Sequence, residues 1–173
     1  MAYLGSDSVR YGLARTMSGQ RVRPASLGVA SAGIASPRMT QPLCQVQQAH
    51  AAAASTLRWA ADLGLEPAGA TDDLARQLSS PAERALLSLL SYLPVRVAAA
   101  ARRRRPDELP RYLEQVSAAW LACQLQASAL PFGGTAAPRD PAQAAARLVL
   151  ARAVAAVVAA GLTLTGVAAP SRL

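Results

Sequence analysis

Lysine is missing from this chain, and all 18 basic residues are arginine. Any mechanism that needs a lysine amine is therefore excluded, whether for imine formation or for holding a phosphate. There is one histidine, His50, so no histidine pair can form. The two cysteines, Cys44 and Cys123, lie far apart with no CxxC or Cys/His spacing. Neither a zinc site nor a disulfide framework is expected from them. Aromatic residues make up only 4% of the sequence. No Gly-rich phosphate loop, strand alternation or internal repeat is visible. The N-terminus has no basic segment followed by an apolar run, so no secretion signal is expected. The apolar stretch 153–170 is short and rich in Ala, Gly and Thr, and a membrane span needs ~20 strongly apolar residues. No membrane partner, metal or cofactor is expected.

What is present is alanine. Hydrophobic residues reach 52% of the 173, and Ala dominates them. Alanine favours helix and buries little area per residue. The composition predicts one all-α domain with closely packed helices. The net charge is +8, with a sequence pI near 10.9. That balance points to an anionic partner such as RNA, with solubility as the plainer explanation.

Several segments carry helix signals. Residues 6–15 can form a short helix capped by Ser6 or Asp7, with Val9 and Leu13 on one face. Residues 16–41 are rich in Ser, Gly and Pro and read as a long loop. Pro42–Leu63 is predicted as a helix, with apolar residues at helical spacing and Gly64 after its end. Residues 64–71 read as a Gly/Pro loop. Ser80-Pro81-Ala82-Glu83 is a capping box opening a Leu-rich helix that stops before Pro94. A further helix is expected from about Pro94 to Arg104, with Pro106 beyond it. The next opens near Asp107, with a buried stripe from Leu109 to Cys123 that includes Trp120. Asp140-Pro141-Ala142-Gln143 starts the last helix, which is expected to end at Gly161 as a left-handed residue. The sum is an all-α helical bundle of four to five helices with an irregular N-terminal segment.

Five segments, in order, resemble a known family. Gly5-Ser6-Asp7-Ser8-Val9-Arg10-Tyr11 resembles Gly-x-Asp-Ala-x-Arg-Tyr of arginyl-tRNA synthetases. Val46-Gln47-Gln48-Ala49-His50-Ala51-Ala52 resembles the Val-Gln-Tyr-Ala-His-Ala-Arg helix that opens their DALR anticodon-binding domain. Glu83-Arg84-Ala85-Leu86-Leu87 through Leu93-Pro94 resembles the family's Glu-x-x-Leu-Leu to Phe-Pro segment. Leu109-Pro110-Arg111-Tyr112-Leu113 resembles Leu-Ala-x-Tyr-Leu. The closing helix, Gly161, Gly166 and the Ala169-Pro170-Ser171-Arg172-Leu173 terminus complete the series. The resemblance divides the chain into a remnant of the preceding synthetase region, 1–41, and a DALR-like domain, 42–173. Residues 42–173 are expected to fold alone, with the buried stripes all lying after Pro42.

Departures from the family pattern bear on activity. Gln48 replaces an aromatic residue that can stack a base, and Ala52 replaces an arginine that can hold a phosphate. Val154-Ala155-Ala156 replaces Thr-Arg-Gln, and the usual final Met is Leu173. The family's ATP-site motifs, His-x-Gly-His and Lys-Met-Ser-Lys, cannot exist in a chain without lysine and with one histidine. No catalytic residue is therefore named.

The resemblance makes Arg147, Arg152 and Arg172 the leading RNA-contact candidates, on the solvent side of the last helix and tail. Arg102, Arg103, Arg104 and Arg105 could grip phosphates, or simply form a solvated helix end suited to the helix dipole. Gln47 and His50 are further candidates, although His50 is more readily a structural side chain within the bundle. Trp120 reads as core, and Trp59 as core or interface before a stacking platform. Three readings stand: a non-catalytic, cytoplasmic tRNA-binding domain, with arginine tRNA or other structured RNA as partner; a detached part of a split arginine–tRNA ligase with a separate catalytic chain; and a protein-interaction module that has lost RNA binding.

Overall fold

A computed structural model describes residues 6–16, 20, 21, 41–67, 69, 74–131 and 140–173. Seven helices lie among them and no strand. They are α1 (Ser6–Arg15), α2 (Pro42–Asp62), α3 (Leu74–Gln77), α4 (Pro81–Ser91), α5 (Leu93–Arg103), α6 (Glu108–Gln126) and α7 (Pro141–Leu164). Most of the long loop expected over 16–41 lies outside the described residues.

Helix starts follow local chemistry. Ser80 accepts from the Glu83 amide while Glu83 accepts from the Ser80 amide, completing the capping box at α4. Asp140 caps α7 by accepting from the Gln143 amide. Pro42, Pro81 and Pro141 each open a helix, where a missing N–H costs nothing. α5 begins at Leu93, and Pro94 falls in its first turn rather than before it. The one-turn α3 is an element that the sequence pattern does not announce.

α7 is the central helix, packed on α2, α3, α4 and α6. Its Leu150, Val154, Val158 and Leu162 share one buried cluster with Val46 and Ala53 of α2 and Leu113 and Val116 of α6, while Leu148 is buried in a second, with Ala60 and Ala129. By length and composition α7 could also cross a membrane. Here its apolar stripe is spent on the bundle, and Arg147 and Arg152 interrupt it. The small residues Ala49, Ala53 and Ala60 on α2 set a close approach between α2 and α7.

The last helix does not stop at Gly161. It runs one more turn to Leu164, and Gly166, at φ 71°, is the left-handed residue beyond its end. Gly161 serves packing instead: a Cβ there would overlap the buried Leu113 side chain of α6. Gly161→Ala should therefore destabilise the fold by ~1–3 kcal/mol through overpacking, although Ala is the better helix former. Urea denaturation measures it, and a stabilised variant would show that Leu113 gives way and that the helix preference of Ala prevails.

The buried stripes do not all follow Pro42. Tyr11 of α1 is 2% exposed and joins the same core cluster. Its hydroxyl donates to the Pro110 carbonyl at 3.2 Å, and Arg15 pairs with Glu114 of α6 at 2.7 Å.

Candidate nucleic-acid interface

The C-terminal tail is laid back over the bundle. Gly166 turns the chain, and five side chains then clasp the segment that follows. Arg10 donates to the Gly166 carbonyl at 3.1 Å, and Asp7 accepts from the Ala168 amide at 3.1 Å. Gln47 donates to the Ala168 carbonyl at 3.1 Å. His50 Nδ1 meets the Pro170 carbonyl at 2.8 Å, with the ring nitrogen donating. Arg58 donates to the Ser171 carbonyl at 3.1 Å and to Ser55 at 3.3 Å. Gln47 and His50 thus hold the tail, which favours the structural reading of His50. Arg58 and Arg10 are clasps that the sequence does not reveal, because their partners are backbone carbonyls of no particular residue type.

Arg147 is not on the solvent side. Its side chain is 20% exposed and its Nε meets Glu83 Oε1 at 2.6 Å, with Glu83 fully buried. Its Nη1 donates to the Ser128 carbonyl at 3.0 Å. The other Glu83 oxygen accepts from the Ser80 amide, so the Glu83–Arg147 pair ties α4 to α7 and to the segment that follows α6. Burial alone would raise the Glu83 carboxyl, but the hydrogen bonds from Arg147 and Ser80 outweigh it and hold it below the usual range. The expectation of a solvent-facing Arg147 fails because Glu83 must be neutralised inside the bundle.

The arginine run divides. Arg105 makes two hydrogen bonds to the buried Asp107, at 2.9 and 3.0 Å. Arg105's bonds hold the Asp107 carboxyl below its usual range against the effect of burial. Arg103 reaches Glu108 at 3.4 Å. Arg102 is exposed in the last turn of α5, and Arg104 is exposed at its C-cap with φ 54°. Among the described residues, Arg102 and Arg104 make no side-chain hydrogen bond or ion pair.

Arg152 on α7 and Arg172 in the tail are exposed and likewise carry no such partner among the described residues. Arg172 follows the carbonyl that Arg58 holds, so the clasp fixes the backbone that leads into it beside α2. Trp120 is core, as its stripe predicts, whereas Trp59 is 60% exposed. Cys123 is buried and its thiol is pushed up, first by burial and then by the Glu83 charge. That is the reverse of what a nucleophilic cysteine needs.

Comparison with known proteins places this geometry. The chain is 33% identical to the arginine–tRNA ligase of Bifidobacterium longum over 189 aligned residues, covering 100% of itself and 29% of that protein. It is 36% identical to the arginine–tRNA ligase of Frankia alni, covering 98% of itself and again 29% of the relative. The chain thus spans under a third of the length of these curated relatives. The Thermus thermophilus arginyl-tRNA synthetase structure superposes with a TM-score of 0.67 at 27% identity, covering 96% of this chain and 26% of that one. Residues 46–173 match the DALR anticodon binding domain, and the chain belongs to that family.

Proposed function

We propose that this chain binds the anticodon arm of a tRNA, arginine tRNA by the names of its relatives, without catalysis of its own. Exposed arginines with no partner among the described residues of a DALR-family bundle carry the reading: Arg152 and Arg172, with Arg102 and Arg104 as a second patch. Phosphate contacts dominate, because the aromatic and arginine positions of the family's motif are Gln48 and Ala52 here. Such contacts give affinity and salt dependence rather than base specificity. A cytoplasmic location goes with this reading.

Replacing Arg152 and Arg172 together by Gln tests it. The double variant should weaken tRNA binding and lower the slope of log affinity against log salt by up to ~2, if each side chain neutralises one phosphate. Its thermal unfolding should match the parent, since both side chains are exposed. Unchanged affinity and slope would place the RNA surface elsewhere. Absence of tRNA binding by the parent at low salt would leave an interaction module.

A second reading rests on an apolar face. Leu13 is 52% and Leu164 61% exposed. Leu164 lines a cavity of about 560 Å³ together with Ala14, the neighbour of Leu13 in α1, and Val97. The catalytic body of an arginine–tRNA ligase, in the same polypeptide or a separate one, would cover such a face.

A further inference from the structure

The segment that carries Arg172 has little packing of its own. Val167 is its last buried residue, and Ala168, Ser171, Arg172 and Leu173 are exposed. The Val167 amide donates to the Leu162 carbonyl, and beyond it no backbone–backbone hydrogen bond holds the tail among the described residues. Released at that point, the stretch from Ala168 to Arg172 could span up to ~17 Å. The place of Arg172 is therefore set by the side chains that hold the tail.

The two holds nearest to Arg172 both come from α2. His50 donates to the Pro170 carbonyl at 2.8 Å and Arg58 to the Ser171 carbonyl at 3.1 Å, so the last two carbonyls before Arg172 are both fixed. Neither bond completes the core, because the residues they hold at the end of the tail lie outside the buried clusters. His50 itself is only 9% exposed, which leaves its ring little surface to offer a phosphate. Arg58 spends Nη1 on the tail and Nη2 on Ser55 Oγ of its own helix, at 3.3 Å, and meets no carboxylate among the described residues. Two side chains of one helix thus read successive backbone carbonyls and deliver one exposed cation. A cation held in place before binding loses less freedom when its partner arrives.

We propose that His50 and Arg58 are positioning residues: they present Arg172 to an RNA phosphate at one place beside α2, and act on RNA through Arg172 alone. The inference rests on the RNA-binding reading above and names residues on which that contact depends.

Binding of tRNA across a range of salt concentrations, well below the melting transition, tests it. Arg172→Gln should weaken binding and lower the slope of log affinity against log salt by up to ~1, the share of one phosphate. His50→Ala removes no arginine, yet it should weaken binding several-fold and lower the slope in the same way. His50→Asn, whose amide can donate from near the position of Nδ1, should restore most of both. In the Arg172→Gln background His50→Ala should have no further effect, the mark of two residues acting as one unit. A merely structural histidine would move the melting temperature but not the slope, and its effect would persist without Arg172. Arg58→Met provides a second, less buried variant with the same expected pattern. A further loss of slope from Arg58→Met in the Arg172→Gln background would make Arg58 a phosphate contact and overturn its assignment. If Arg172→Gln weakens binding while His50→Ala and Arg58→Met bind like the parent, the inference falls and the RNA-binding reading stands. If Arg172→Gln itself binds like the parent, the inference falls. If the parent binds no tRNA, both fall.

Discussion

Replacing Arg147 by Gln is expected to cost about 3–5 kcal/mol of folding stability at neutral pH. Removing one partner of a buried ion pair leaves the other charge uncompensated. Glu83 would keep its bond to the Ser80 amide but lose its only described cation, at a site with no exposure of its own. The reciprocal Glu83→Gln should cost less, near the ~3 kcal/mol end of that range, because Arg147 retains some solvent contact.

The pH dependence separates this from a packing defect. In the parent, the folded Glu83 carboxyl lies below its unfolded value, so its stabilisation is present above the unfolded pKa. It is lost as pH falls through the folded pKa. Without Arg147, burial becomes the dominant influence and the carboxyl rises above its unfolded value. The variant then loses stability as pH climbs from about 4.3, the unperturbed glutamate value, toward the raised folded one. The gap between parent and variant should therefore shrink on acidification. Urea denaturation at about pH 7 and at about pH 4.5, bracketing most of that interval, measures it. A gap independent of pH would show that Glu83 is not the charge left behind.

Tyr11→Ala is expected to destabilise the domain by about 3–5 kcal/mol, the usual range for emptying a buried aromatic site. Tyr11 lies in the same cluster as Leu109, Tyr112 and Leu113. Tyr11→Phe keeps the ring and should cost only ~1 kcal/mol for the lost hydrogen bond to Pro110. Burial, followed by the neighbouring Glu114 charge, raises the Tyr11 hydroxyl, which favours its neutral, donating form. Calorimetric melting of the two variants checks the pair. Equal melting of Tyr11→Ala and the parent would show that α1 contributes nothing to the core and that residues 42–173 suffice.

What was legible in the sequence was local. Ser80 and Glu83 announce α4, and Asp140 announces α7, because a cap is satisfied within its own first turn. The stripe from Leu109 to Cys123 gives the inner face of α6, because apolar spacing reports burial directly. The errors come from partners distant in sequence. Gly161 has the position of a helix stop, but Leu113 on another helix determines its role. Arg147 has the chemistry of a phosphate ligand, and Glu83, whose visible task is capping, claims it. Arg103 and Arg105 look like their neighbours Arg102 and Arg104, and only Glu108 and Asp107 distinguish them. At the site, the arginines are visible in the sequence as a class, while their availability depends on acidic partners that spacing does not reveal. Trp59 is the converse case: an apolar residue on a core-like helix that folding leaves in water.

The tail clasp also constrains the order in which the molecule assembles. Asp7 with Ala168, and Arg10 with Gly166, join residues separated by nearly the whole chain. The entropy lost in closing so long a loop is regained only after the intervening helices have condensed. These contacts are few, partly exposed and made largely through single hydrogen bonds, so they form late and open first. The amides of Ala168, Ala169 and Ser171 should thus exchange with solvent well ahead of those in α6 and α7. The backbone carrying Arg172 is the last part of the domain to acquire its place and the first to give it up.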